Sequence, residues 1–428
     1  MKPKHRAWLS LESLEDRWVP ATVHFFSGTL LISNPAVVGG TSNVTLTQTA
    51  ANTFMVKDGA ANNGTYAGVG RIFFTGSNAP DKLTVALGAT TYTGSLFANT
   101  GNGNDTVSIT GTQMNGSAQL LTGLGNDSVS VSANVLGGLQ VLNIFGDASV
   151  TITSTNISGD ASFVHVKALT LSAATTFGGN VTVQDSQVSN GANITVSGAV
   201  TINKNLSITT GAGNDSVTFS GAATVLGSTQ LSLGGGNDST AVPAAVIFGG
   251  NFNLTDGSGN DSVSVTGAAS FNGNASFNLG DGNDSINLAV GSSVLGNLGL
   301  TLANGASAVT DDTSVAGNLS FGLGNGNDTV TVGNAPAGQL FWASGNGNDS
   351  VTFGDATNAA GENWNVHMTF GTGNDTLTLA GNGTVASPEI LTGFIDMGGP
   401  PGGNSFDPTG SLVAGTWVVV PPFTLQNV

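Results

Sequence analysis

Short runs in which apolar and hydroxyl residues strictly alternate recur along the chain, as in Ser262-Val263-Ser264-Val265, Thr329-Val330-Thr331-Val332 and Thr376-Leu377-Thr378-Leu379. A period of two puts Val, Ile, Leu and Phe on one side and Ser and Thr on the other, the pattern of a half-buried strand. A second alternating run precedes many of these, such as Gln230-Leu231-Ser232-Leu233 or Asn318-Leu319-Ser320-Phe321. A third, shorter apolar piece lies ahead of that, as in AATVLG from Ala222 and AAVIFG from Ala244. No long stretch carries a 3.6-residue apolar period, so no helices are expected.

Between the runs stands a repeated loop, GxGND followed by Ser or Thr, typified by GSGNDSVSVT from Gly257 to Thr266. Its Asp falls at 105, 127, 215, 238, 261, 284, 328, 349 and 375, at intervals of 22, 88, 23, 23, 23, 44, 21 and 26. The 88 and 44 are four and two units. Degenerate copies at Gly146 (GDASVTIT) and Gly76 (GSNAPDKLTV) keep the same period. A glycine also stands eleven residues before the Asp in seven of the nine units, at Gly94, Gly116, Gly227, Gly250, Gly273, Gly317 and Gly338.

A fixed period of this size marks a solenoid, in which a unit too small to bury its own apolar side stacks on its neighbours. Three short strands and two turns per unit give an all-β, single-chain parallel β-helix of about 22–23 residues per coil. At about 4.8 Å between stacked strands, roughly 14 coils make a rod on the order of 65 Å long. Residues 1–21 read as a leader, 22–75 as an N-terminal cap with the first coils, 76–380 as the solenoid and 381–428 as a C-terminal cap. The prolines of MGGPPGG and VVVPPF suit a terminating segment that resists further pairing.

Composition agrees with a packed repeat array. Apolar residues make up 39 % of 428, so the 64 glycines punctuate a core-forming chain and do not mark a disordered one. Charge narrows the possible partners: nine Lys and Arg face 26 Asp and Glu, for a net charge of −17. From residue 205 onward there are 16 Asp and Glu and no Lys or Arg. Such a surface repels nucleic acid and anionic lipid, and its carboxylates have no cationic side chains to pair with. No apolar run is long enough for a membrane span. With no cysteine, disulfides, thiolate zinc sites and thiol catalysis are excluded.

In a solenoid, residues one period apart stack, so the Asp side chains form columns with neighbours roughly 5 Å apart, repelling by about 1 kcal/mol in water and more when desolvated. A dissolved cation is the expected counter-charge. Calcium suits the loop because it takes 6 to 8 oxygen ligands and tolerates irregular geometry, and glycines expose carbonyls that can turn toward an ion. The competing reading is a metal-free turn, in which stacked Asn side chains form a hydrogen-bonded ladder.

The loop and the strand after it, GxGND[ST][VIL], resemble the calcium-binding nonapeptide GGxGxDxUx of RTX (hemolysin-type) proteins. That resemblance implies calcium held between loops of successive coils by Asp105, Asp127, Asp215, Asp238, Asp261, Asp284, Asp328, Asp349 and Asp375, with carbonyls of glycines such as Gly257 and Gly259. The chain departs from the family in two ways. Residues such as Thr100, Asp256 or Phe370 replace the first Gly, and the loop comes once per coil, without a second calcium ladder. The strongest sites are expected where copies are consecutive, at Asp215 to Asp284 and at Asp105 with Asp127, and the weakest at Asp375 after its 26-residue interval. Near the start, LESLEDRWVPA resembles the LEPR-XLL-type motif of large repetitive bacterial surface and secreted proteins, with Glu15-Asp16-Arg17 in place of Glu-Pro-Arg. This implies an extracellular or cell-surface location, although acidic residues interrupt the apolar stretch of an ordinary signal peptide.

Other chemistry finds little footing. DGSGND from Asp256 lacks the sixth-position Gly of an EF-hand and has Gly267 where the twelfth-position Glu belongs. The four histidines have no plausible Ser or Asp partner in a repeated context, and GxSxG is absent. Lys167 and Lys204 are the only mid-chain bases for a polysaccharide lyase, and Trp342, Trp364 and His367 are candidates for a sugar-stacking patch or for core filling. The reading is therefore a noncatalytic, calcium-binding, secreted or cell-surface β-solenoid, structural or adhesive, with cell-surface polysaccharide or other surface proteins as partners. A carbohydrate-active β-helix enzyme is the alternative. A groove with paired carboxylates and a base favours the enzyme; a flat Ser/Thr face favours the adhesin.

Overall fold

In the computed structural model the described residues are 21–34, 41–185, 191–354, 362–380, 389–398, 404–407 and 417–426. The segment LESLEDRWVPA lies outside them except for Ala21. No helix occurs among the described residues; every regular element is a strand.

One coil shows how the sequence builds the whole. Ser262–Val265 forms the first strand, Ser270–Phe271 the second and Ala275–Leu279 the third, before the next loop leads into Ser285–Leu288. Each strand pairs in parallel with its counterpart one coil on, with Val263 against Ile286, Phe271 against Val294 and Phe277 against Leu300. Repetition generates a parallel β-solenoid with two broad faces and a narrow one made of two- and three-residue strands. Most inward positions are apolar and almost fully buried, since each strand turns every second residue to the axis. Phe248, Phe252, Phe271 and Phe277 stack along that axis with ring centroids 4.8 to 6.1 Å apart. Trp342 and Trp364 are also interior, 2 % and 1 % exposed, packed on Phe370 and Phe353 respectively. They fill coils, and only His367 of the proposed sugar-stacking trio faces outward, between Phe341 and Phe394.

The glycines eleven residues before each Asp make the corner between the narrow face and the third strand. Gly250 N–H donates to the Gly227 carbonyl at 2.9 Å, and Gly317 to Gly296 at 3.0 Å, so this corner is a backbone ladder. A Cβ on Gly273 would lie 2.8 Å from the Gly250 carbonyl oxygen. Beside the glycines runs an asparagine ladder that the sequence reading did not anticipate: Asn274 N–H donates to Asn251 Oδ1, Asn297 to Asn274 and Asn318 to Asn297.

The N-terminal end closes by changing the sense of pairing. Thr22–Phe26 and Thr29–Ser33 form an antiparallel hairpin, and Asn43–Ala50, Thr53–Asp58 and Ala61–Ala67 an antiparallel meander. The hairpin turn, Ser27-Gly28, has φ of 48° and 75°, the double positive φ of a two-residue turn matched to strand twist. At the other end Trp417–Gln426 pairs with Glu389–Asp396, and Pro421 and Pro422 fall where the register shifts between Leu391 and Gly393. A bulged, proline-bearing strand is a poor template for another.

Candidate metal column

The nine Asp residues of GxGND line up one above the next at the corner after the third strand, none more than 2 % exposed. Their carboxylates face inward and are held by the neighbouring coil. Asp105 Oδ1 accepts from Asp81 N–H and Asp127 Oδ1 from Asp105 N–H. The same bond joins Asp215 to Asp238, Asp238 to Asp261 and Asp261 to Asp284 at 2.6 to 2.9 Å, then Asp328 to Asp349 and Asp349 to Asp375. Breaks visible in the sequence are partly bridged. Ser307 takes the missing rung between Asp284 and Asp328, and Asn404 Oδ1 caps Asp375. Asp375, expected to be isolated, is therefore continuous with the column. Between Asp127 and Asp215 the rung positions include Ala148 and Ala192, and here Lys167 pairs with Asp147 at 2.7 Å.

One oxygen of each carboxylate is left over. Oδ2 of all nine is buried without a hydrogen-bond partner. Asp81, at the N-terminal end of the column, makes the contrast plain: its two oxygens accept from Asn34, from Ser77 N–H and Oγ, and from Ser42 N–H and Oγ. A buried, unsatisfied carboxylate oxygen carries a desolvation cost that a proton or a cation can relieve. Burial accordingly raises several of these acids. Asp105 is pushed up to about 6 by burial, partly offset by the nearby Thr100 hydroxyl and the hydrogen bond from Asp81 N–H and reinforced by Asp127. Asp261 and Asp328 also rise to about 6 for the same first cause, and Asp127, Asp215, Asp284 and Asp375 rise as well. The donor set is oxygen only, with no cysteine in the chain, which suits a hard cation such as calcium and not zinc or copper.

The glycines of the loop are set by stacking. A Cβ on Gly259 would lie 1.6 Å from the Gly236 carbonyl oxygen, and one on Gly282 would lie 1.4 Å from that of Gly259. The carbonyls of Gly257 and Gly259 thus point along the rod at the bare Cα of Gly280 and Gly282. On the solvent side, Asn260 N–H donates to Asn237 Oδ1 and Asn283 N–H to Asn260 Oδ1. The metal-free asparagine ladder and the inward carboxylate column therefore coexist, one residue apart.

Asp256 adds a carboxylate that belongs to no ladder. It stands 23 residues from Leu233 and Leu279 in the interior column and is 7 % exposed, and burial, reinforced by the neighbouring Asp238 and Asp261 carboxyls, raises its acid range. In the sequence Asp256 stands out as a substitute for glycine and as the start of a failed EF-hand match, and its inward direction is set by the coil.

The strand after each loop presents two outward columns to solvent. From Thr106 to Ser405 in one and from Thr84 to Thr378 in the other, every residue is Ser, Thr, Asn or Ala. This face is regular and carries no charge in those columns. Lys167, a candidate base, is engaged with Asp147.

No family model and no curated protein matches the chain. Among solved structures, the chain is similar to one described as a hyperactive, Ca2+-dependent, β-helical antifreeze protein from an Antarctic bacterium, with 19 % identity and a TM-score of 0.39 over 66 % of this chain and 83 % of that one. A likeness of that size leaves the functional reading to the residues of this chain.

Proposed function

We propose that this chain is a noncatalytic, calcium-binding β-solenoid of RTX-like type, secreted or displayed on a bacterial surface, where it serves as a rigid structural or adhesive rod. The observation that carries the reading is the orphaned Oδ2 on each of nine buried carboxylates. Asp105, Asp127, Asp215, Asp238, Asp261, Asp284, Asp328, Asp349 and Asp375 are the residues that hold calcium. When bound, the ion supplies the positive charge that the chain lacks beyond Lys204. Oδ1 of each acid keeps its neighbour's N–H, so Oδ2 is free for the metal while the coil remains clamped. Carboxylates that repel one another without a counter-ion weaken the coil where calcium is scarce, and calcium strengthens it where the ion is abundant.

The adhesive part of the proposal rests on the Ser/Thr face. Hydroxyls repeated about every 4.8 Å along the rod suit a partner that is itself repetitive and uncharged, such as surface polysaccharide. Thermal melting of the full chain followed by circular dichroism, in chelator and then in calcium with magnesium as control, tests the metal. A calcium-specific rise in melting temperature is expected, and identical melting in chelator and calcium would overturn the assignment.

A further inference from the structure

Asp256 breaks the rule of its own column. At the position five residues before the rung, Thr100, Thr122 and Thr210 place buried hydroxyls in the coils of Asp105, Asp127 and Asp215. Leu233, Leu279 and Leu323 fill the same place with apolar side chains. Asp185, stacked on Thr210, is the other buried carboxylate at this level, but its coil has Ala192 where a rung acid would be. Asp256 alone faces two rung acids, Asp238 and Asp261.

The three carboxylates converge. One oxygen from each lies within 4.8 Å of the other two. Ligand oxygens on opposite sides of a calcium ion, at about 2.4 Å each, are about 4.8 Å apart, so one ion can reach all three. A second observation concerns the same carboxylates: Oδ2 of Asp238 and of Asp261 are buried and have no hydrogen-bond partner, in residues 2 % exposed. No Lys or Arg follows Lys204 to balance a cluster in this part of the rod.

We propose that Asp238, Asp256 and Asp261 form a single divalent-cation site, different in composition from every other rung, that takes calcium more tightly than the rest of the column. The proposal deepens the calcium reading above and rests on it for the identity of the ion. Three carboxylates on one ion give more charge than the two that successive rungs supply, and ligand charge count is a principal determinant of calcium affinity. The site sits among the four consecutive rungs from Asp215 to Asp284, so its filling fixes the coils on either side.

Calorimetric titration of calcium into the full, chelator-stripped chain tests this, with Asp256→Leu as the main variant because Leu already occupies the equivalent place at Leu233 and Leu279. The wild type should show one tight site per chain above a weaker class. Asp256→Leu should weaken that site by about tenfold or more and leave the weaker class in place. Asp256→Asn, which preserves shape, gives the same readout should the leucine variant not fold. Asp349→Asn, remote from the cluster, should retain the tight site, and a wild type that shows the tight site with no weaker class would sink the column-wide reading and spare this one. Identical isotherms for wild type and Asp256→Leu, or a wild type that binds no calcium, would overturn the proposal; the cluster would then be a proton-sharing acid pair.

Discussion

Asp238 donates its backbone N–H to Oδ1 of Asp261, 2.8 Å away and 23 residues later in the chain. The side chain that a metal-site reading treats as a ligand is thus also the fastener between two coils. Only half of each carboxylate is occupied by that task, and the other half is where chemistry remains to be done.

Separating the two halves gives the first expectation. Asp261→Asn keeps an oxygen for Asp238 N–H and removes the charge, as Asn404 does naturally for Asp375. Asp261→Ala removes both and strands a buried N–H, costing about 1–3 kcal/mol. Denaturant unfolding in chelator should therefore show Asp261→Asn as stable as wild type or more so, and Asp261→Ala clearly weaker. In calcium, the Asn variant should gain less than wild type.

The acid range of the column fixes a pH dependence. Asp105, Asp261 and Asp328 hold their protons up to about 6 in the folded chain, against about 4 when unfolded. Between those values the folded state binds more protons than the unfolded one, so stability falls as pH rises. Without calcium, the melting temperature should be highest near pH 4 and decline through about pH 6. Calcium favours the ionised form, and its stabilising effect should grow over the same interval. A melting temperature in chelator that rises from pH 4 to pH 7 would contradict the assigned burial of these carboxylates.

Two glycines should behave in opposite ways. Gly282→Ala places a Cβ 1.4 Å from the Gly259 carbonyl oxygen, whereas at Gly299 the nearest atom is Ser320 Oγ at 3.4 Å. Gly282→Ala should cost several kcal/mol or prevent folding, because backbone must move. Gly299→Ala should leave unfolding free energy within about 0.5 kcal/mol of wild type.

The aromatic axis offers a calibration that is independent of metal. Phe271 contacts Phe248, Phe252 and Phe277 at centroid separations of 5.1 to 6.1 Å. Phe271→Ala should destabilise by about 3–5 kcal/mol in calcium and in chelator alike. A loss that appears only with calcium present would mean that the core and the column are coupled.

Much of this architecture could be read from the chain because a period of about 23 and a period of two together dictate stacking and facing. Val263, Phe271 and Phe277 lie where those periods place them. The direction of a corner residue is a different matter. Nothing in the spelling Asn-Asp says that Asn260 accepts from the following coil while Asp261 accepts from the preceding one. Ser307 could not be recognised as a rung, since its role is defined by Asp284 N–H and Asp328 Oδ1 on either side. The antiparallel closure at Thr22–Ser33 was equally hidden, because alternation looks the same whichever way the partner runs. The clustering of Asp256 was not legible for a related reason: its partners, Asp238 and Asp261, are brought to it by the coil and the loop.

The opposed pair of side-chain ladders also makes the rod modular in length. Every coil that carries GxGND presents the same two acceptors, one toward each end, so a coil could be spliced out between Asp238 and Asp261 and the cut edges would still find matching partners. Each such deletion shortens the span by about 4.8 Å. The chain is in that sense a ruler with a fixed graduation, and the distance between its two closed ends can be reset by recombination of the gene without altering the way any coil grips its neighbour.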